Sequence, residues 1–124
     1  MTDIGTVLKG ALAIDGALGA ALVDATSGMA LDTRGPDGSL DLALAAAAAT
    51  DIVRAQVQML DLLGLYGEAL EDILLTLTSQ YHLIRPLTSR DGRGLFLYLV
   101  LDRSRANLAM ARHRARAIEA DLVV

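Results

Sequence analysis

The side chains that could do chemistry are few and poorly grouped. His82 and His113 are the two imidazoles, and the chain has no cysteine. They lack the i, i+4 spacing that puts two ligands on one helix face, so no metal site is expected. His82 is in phase with Ile84 in a strand-like run and reads as structural, and His113 sits among arginines and reads as solvated. Ser27, Ser39, Ser79, Ser89 and Ser104 have no G-x-S-x-G context that would raise a nucleophile. Gly92-Arg93-Gly94 resembles a phosphate loop only superficially: it lacks the lysine and precedes a strand rather than a helix. Asp15, Asp24, Asp32, Asp91 and Asp102 fall at element ends, where aspartate serves turns and caps. The expectation is no catalytic residue, no cofactor and no metal.

The elements that would carry such residues follow from periodicity. Leu95 to Leu101 is wholly apolar and too short for a core helix, so it reads as a strand buried on both faces. Such a strand needs helices on both sides of its sheet. An Arg-rich helix from Ser104 to Leu122 is one cover, with Leu108, Ala111, Ala115, Ile118 and Leu122 inward and Arg105, Arg112 and Arg116 on an adjacent stripe. A first helix spans Asp3 to Ala13, capped by Thr2 or Asp3, with Ile4, Val7, Leu8 and Ala11 on one face. Leu18–Asp24 and Met29–Thr33 form a hairpin, and small residues Gly19, Ala20 and Ala21 let a helix approach. A long helix covers Leu40 to Leu63, opened by Asp37 or Ser39 and stopped by Gly64. Three strands follow: Ala69–Thr78, Tyr81–Leu87 after a turn at Ser79-Gln80, and Leu95–Leu101 after Arg90–Gly94. Pro86 predicts an edge or an irregularity near the end of its strand. The prediction is one domain, 1–124, of the α/β class: a three-layer domain with a five-stranded antiparallel sheet flanked by three helices, in the order α-β-β-α-β-β-β-α.

Composition narrows the function classes. With 124 residues the chain can bury a sizeable core without disulfides. Aromatic residues are 3% and the net charge is −4, which disfavours a nucleic-acid binder. Residues 1–72 carry eleven acids and three bases, and residues 73–124 four acids and eight bases. Ordinary surface charge explains this, and so would two faces that steer a partner. The apolar runs are far shorter than the ~20 residues of a membrane span, and the N-terminus lacks a basic patch followed by an apolar stretch. Membrane insertion is not expected, and a cytoplasmic location is.

The long helix is the best functional clue. Leu42, Ala46, Ala49, Val53, Val57 and Leu60 form one apolar stripe, and Leu44, Ala48, Ile52, Ala55, Met59 and Leu62 form a second. Thr50, Arg54, Gln58 and Asp61 occupy the rest, with Asp51 at the margin. A helix lying on a sheet needs one apolar stripe. The second is covered either by another helix of the chain or by another subunit. In the next strand Ile73, Leu75 and Leu77 share one face, and an edge position would invite pairing with a second copy. Glu71 and Asp72 would alternatively be charges that protect that edge. For the arginine row Arg105, Arg112 and Arg116, the readings are a solvated face or a dock for an acidic partner.

The element order, the segment Ile14-Asp15-Gly16-Ala17-Leu18-Gly19-Ala20-Ala21-Leu22-Val23-Asp24 with Gly28 in its turn, and the tail Asn107-Leu108-Ala109-Met110-Ala111-Arg112 resemble Roadblock domains. These form the dynein light chain Roadblock family with its prokaryotic relatives, and the resemblance spans about Ile4 to Ala120. It implies a non-enzymatic homodimer paired through the long helix and the strand after it, joining two five-stranded sheets into one. It also implies a Ras-like small GTPase as the partner of prokaryotic members. The implied dimer surface is Ala48, Ile52, Ala55, Met59, Ile73, Leu75 and Leu77. The expected function is a homodimeric regulator or scaffold for a small GTPase in signalling. The alternative is a small-molecule-sensing domain whose pocket would draw polar groups from Thr76, Thr78, His82 and Gln56. A hydrolase ranks last and would need His82 joined to a carboxylate and a hydroxyl.

Overall fold

The computed structural model describes residues 3–36, 40–88 and 94–122. Eight elements run in the expected order: α1 Ile4–Leu12, β1 Ala17–Asp24, β2 Ala30–Arg34, α2 Leu42–Leu62, β3 Ile73–Thr76, β4 Gln80–Pro86, β5 Leu95–Asp102 and α3 Leu108–Asp121. The strands form one sheet in the order β2-β1-β5-β4-β3, and every neighbouring pair is antiparallel. The apolar strand β5 is at the centre, as its lack of polar alternation predicts.

Strand alternation divides the core in two. On one face Ala21, Val23, Ile84, Phe96, Tyr98 and Val100 pack against Ala46, Ala49 and Val53 of α2. On the other face Leu22, Leu83, Leu97, Leu99 and Leu101 pack against Val7, Leu8 and Ala11 of α1 and Ala111 and Ala115 of α3. The layers are therefore α2, the sheet, and α1 with α3. Within its layer α2 lies over β1 and β2, away from the β3 edge. Gly19 makes room for it: a Cβ there would stand 3.3 Å from a Leu42 methyl.

Local chemistry sets the helix ends. Asp3 caps α1 by accepting from the Thr6 amide at 2.9 Å. Asp41, not Asp37 or Ser39, caps α2, accepting from the Leu44 amide at 3.0 Å. Asp37 and Ser39 lie outside the described residues, as do Thr2 and the turn residues 89–93. At the other end Gly64 takes φ +71°. Its amide reaches the Asp61 carbonyl at 3.1 Å, and the Leu65 amide reaches Leu60 at 2.9 Å, which is a Schellman stop.

Most boundaries fall within two residues of their sequence positions; α2 starts at Leu42 rather than Leu40, and β3 ends at Thr76 rather than Thr78, which leaves Leu77 just past it. Two starts move further. β3 begins at Ile73 rather than Ala69. In its register Ile73 faces Ile84, so residue 71 would stand opposite Pro86, which has no N–H to give. Asp72 is also taken by Arg112 of α3, with Nε and Nη2 at 2.9 and 3.0 Å from its two oxygens. Pro86 thus pairs only with β5, where the ladder with β3 has run out. The β3–β4 turn falls at Thr78-Ser79, closed by the Leu77 amide donating to Gln80. α3 begins at Leu108 rather than Ser104. Asp102 holds the intervening turn, accepting from the Ser104 amide at 3.0 Å and its hydroxyl at 2.8 Å. Arg105 consequently lies in a turn and not on the helical row with Arg112 and Arg116.

The α1–β1 corner depends on Gly16, at φ +85°. A Cβ there would lie 2.9 Å from the backbone nitrogen of Ala106. Gly16→Ala is expected to cost about 2 kcal/mol or more, combining the left-handed backbone penalty with that clash. Urea unfolding of the variant checks it, and a change within about 0.5 kcal/mol would contradict it.

Candidate functional site

The face of α2 that meets the sheet is the stripe of Ala46, Ala49 and Val53, with Leu42 and Leu60 half-buried at its margins. Thr50, placed by periodicity on the polar side, is buried instead. Its hydroxyl donates to the Ala46 carbonyl at 2.8 Å, so it enters the core with its polar group satisfied. Arg54 is not a free charge either: Nη2 donates to the carbonyls of Ala25 and Thr26 at 3.1 and 2.6 Å and ties α2 to the β1–β2 turn.

The second stripe is uncovered. Leu44, Met59 and Leu62 are 67%, 46% and 78% exposed. Ala48 and Ala55 are exposed and Ile52 is half-buried. Neither of the other described helices covers them, because α1 and α3 are on the opposite side of the sheet. Beside this stripe runs β3, which is an edge strand. Ile73 and Leu75 are half-buried on the α2 face, and Leu77 is 45% exposed. The seven residues Ala48, Ile52, Ala55, Met59, Ile73, Leu75 and Leu77 thus come from one helix face and one open sheet edge on the same side of the molecule. Among the possible edge-protecting charges, Asp72 is turned to Arg112 and Glu71 is exposed.

Between helix and edge lies a groove of about 280 Å³, lined by Ala45, Ala48, Ala49, Ile52, Leu75, His82, Ile84 and Tyr98. Its floor carries a short polar chain. His82 Nε2 lies 2.8 Å from Gln80 Oε1, and His82 Nδ1 lies 2.8 Å from the Tyr98 hydroxyl. The amide oxygen can only accept, so Nε2 donates to it and Nδ1 accepts the Tyr98 proton. The two rings meet edge to face, with centroids 5.6 Å apart. Burial pushes the His82 pKa down and the Tyr98 pKa up. From sequence His82 reads as structural, and nothing there singles out Tyr98. His82 stands opposite Val100, so Tyr98 is its diagonal neighbour on the same face, a relation visible only once the register is known.

The ring's two hydrogen bonds go to an amide and a hydroxyl, so the carboxylate that a hydrolase would need is not among its partners. Of the polar groups named for a ligand pocket, His82 lines this groove. Thr76 and Thr78 are exposed, and Gln56 is half-buried outside it. No group of three metal-ligating side chains occurs among the described residues, and none of the described helices is long and apolar enough to cross a membrane. His113 is exposed on α3. Of the arginine row, Arg112 is committed to Asp72, and Arg105 lies 3.8 Å from Asp102. Arg116 is exposed beside Arg112 at the rim of a shallow depression that includes Glu68 and Glu71.

No protein-family model and no curated protein matches the chain. Solved structures do. A Roadblock/LC7 domain from Streptomyces avermitilis superposes with a TM-score of 0.79 at 16% identity, covering 96% of this chain and 93% of that one. MglB of Myxococcus xanthus gives 0.72 at 19% identity over 93% of this chain and 84% of that one. The chain has the Roadblock fold. An MglB in a tetrameric arrangement gives 0.76 at 20% identity, over 93% and 81%. At such identities the likeness is one of fold. In Roadblock terms, the sheet order, the single helix on one face and the helix pair on the other account for nearly the whole chain.

Proposed function

We propose that two copies of this chain pair through α2 and β3, and that the dimer is a non-enzymatic regulator or scaffold for a Ras-like small GTPase in a cytoplasmic signalling system. One observation carries the pairing: the apolar second stripe of α2 lies uncovered beside an open strand edge on the same side of the molecule. A two-fold axis near that edge lets β3 pair with its own copy, extending the sheet, while the helices meet stripe to stripe. Ala48 and Ala55 permit close helix approach. Ile52, Met59, Ile73, Leu75 and Leu77 supply the apolar area. The Roadblock resemblance brings the small GTPase as partner class, and the MglB neighbours support it. Arg105 and Arg116 are the positively charged side chains proposed as additional partner contacts, with Arg112 held back by Asp72.

The test of the partner class is capture from the native cytoplasm with the tagged protein, in the presence of GDP or a non-hydrolysable GTP analogue. A small GTPase whose recovery depends on the nucleotide supports the proposal. A receptor or kinase recovered without any GTPase overturns it.

A further inference from the structure

We propose that pairing through α2 and β3 is gated by protons at His82, so that acidification separates the two copies. This deepens the pairing proposed above and rests on it. The basis is the position of His82 and Tyr98, which line the groove that a second copy would close, with Gln80 holding the far nitrogen of the ring.

The surroundings of the ring are matched to its neutral form. The groove it lines is walled from α2 by Ala45, Ala48, Ala49 and Ile52, from β3 by Leu75, from β4 by Ile84 and from β5 by Tyr98, and the ring itself is held by Gln80 and Tyr98. Tyr98 is the one other titratable group in the groove, and at neutral pH its hydroxyl is uncharged. The charges nearest along these elements are engaged elsewhere. Asp51 and Arg54 of α2 are exposed, 3.9 Å from each other. Asp72, before β3, is turned to Arg112. Asp102, opposite Gln80, holds Ser104 and lies 3.8 Å from Arg105. Among the described residues, therefore, no carboxylate lines the groove to stabilise an imidazolium.

Protonation has two costs there. Nδ1 becomes a donor aimed at a hydroxyl that already donates to it, so the Tyr98 proton must turn toward an apolar wall. The new charge must also stay solvated, and in a single copy the open side of the groove supplies that water. A second copy laid over Ala48 and Ile52 removes it. The dimer thus holds fewer protons than two free copies. By linkage, pairing is at full strength above pH ~6.5 and weakens as pH falls through the midpoint of the free chain, which burial already sets below that value. Each copy contributes one His82. The limiting weakening is therefore about tenfold per histidine, or about a hundredfold per pH unit for the pair.

Sedimentation equilibrium at pH 7.5 and pH 5.5 tests this on the wild type, His82→Asn and His113→Asn. The wild-type dissociation constant is expected to rise severalfold at pH 5.5. His113→Asn, altered on the opposite side of the sheet, should behave the same way, and His82→Asn should show a flat profile. A wild-type constant unchanged between the two pH values overturns the gating, as does a pH dependence that survives in His82→Asn. A wild type that is monomeric at pH 7.5 rejects the pairing itself, and the gating with it. A second measurement covers the case in which His82→Asn fails to fold. NMR titration of the two histidines at low and high protein concentration should lower the His82 midpoint on pairing and leave His113 in place. A His82 midpoint that does not move with concentration, in samples shown to change from monomer to dimer, also overturns the gating.

Discussion

Ala55→Arg is expected to abolish pairing at micromolar concentration while leaving the fold of each copy intact. Ala55 is exposed in the single chain, so the new side chain meets only water there. In the proposed pair it would lie in the middle of the second α2 stripe, where the small residues Ala48 and Ala55 would set the distance between helices. A guanidinium on each copy must be desolvated there or must push the helices apart, and either loses roughly 3 kcal/mol or more, over a hundredfold in affinity. A stable interface of this kind should bury well above ~1,000 Å². Ile52→Asp should act in the same direction. Ile52 also lines the groove and is half-buried, so that variant should lose some folding stability as well. Asp61→Arg is the control: it sits on the polar side of the same helix and should leave pairing unchanged. Light scattering reads all three. A dimer that persists in Ala55→Arg, or a wild type that is monomeric across the micromolar range, would remove this face as the interface.

How much of this is legible in the sequence depends on whether the deciding force is local. The unbroken apolar run of β5 announced a strand covered on both sides, and the two stripes of α2 announced two buried contacts. Both are properties of a few consecutive turns. The strand lies at the centre of the sheet and the first stripe meets it through Ala46, Ala49 and Val53, although Val57 is exposed; the second stripe is exposed in the single chain, and its contact is the pairing proposed above. What failed was set by distant residues. The start of β3 is fixed by Pro86, which ends the ladder two positions beyond Ile84, and by an arginine 40 positions away that takes Asp72. Thr50 enters the core because its hydroxyl satisfies itself on the preceding helical turn, which a polarity scale does not register. The structural reading of His82 fits its two hydrogen bonds, but its partner Tyr98 is 16 positions on and only strand register brings them together. The stripe itself could be read from sequence, but whether another helix covered it could not. That question was decided by which side of the sheet α1 and α3 take.

Phe96→Ala is expected to be the most destabilising single truncation, at about 3–5 kcal/mol. Phe96 is the chain's one phenylalanine, fully buried on the central strand and facing α2. It is paired with Val23 on one side and Pro86 on the other. The backbone around it is fixed by neighbouring strands, so the cavity left by the ring cannot collapse. For a domain marginal at about 5–15 kcal/mol this removes a large share of the total. Urea unfolding gives the number, and a loss below about 1 kcal/mol would mean that this cluster is not packed as described. Leu99→Ala offers the informative contrast. Leu99 is equally buried on the same strand but faces α1 and α3, so its loss, also about 2–5 kcal/mol, falls in the other core. Under conditions where both variants remain folded, Phe96→Ala should weaken pairing, because it undermines the layer on which α2 rests. Leu99→Ala should leave pairing near the wild-type value. Equal effects of the two on pairing would mean that the α2 face is not held by its own core. In that case the separation of a structural layer from a working layer, on which the assignment of the interface depends, would not stand.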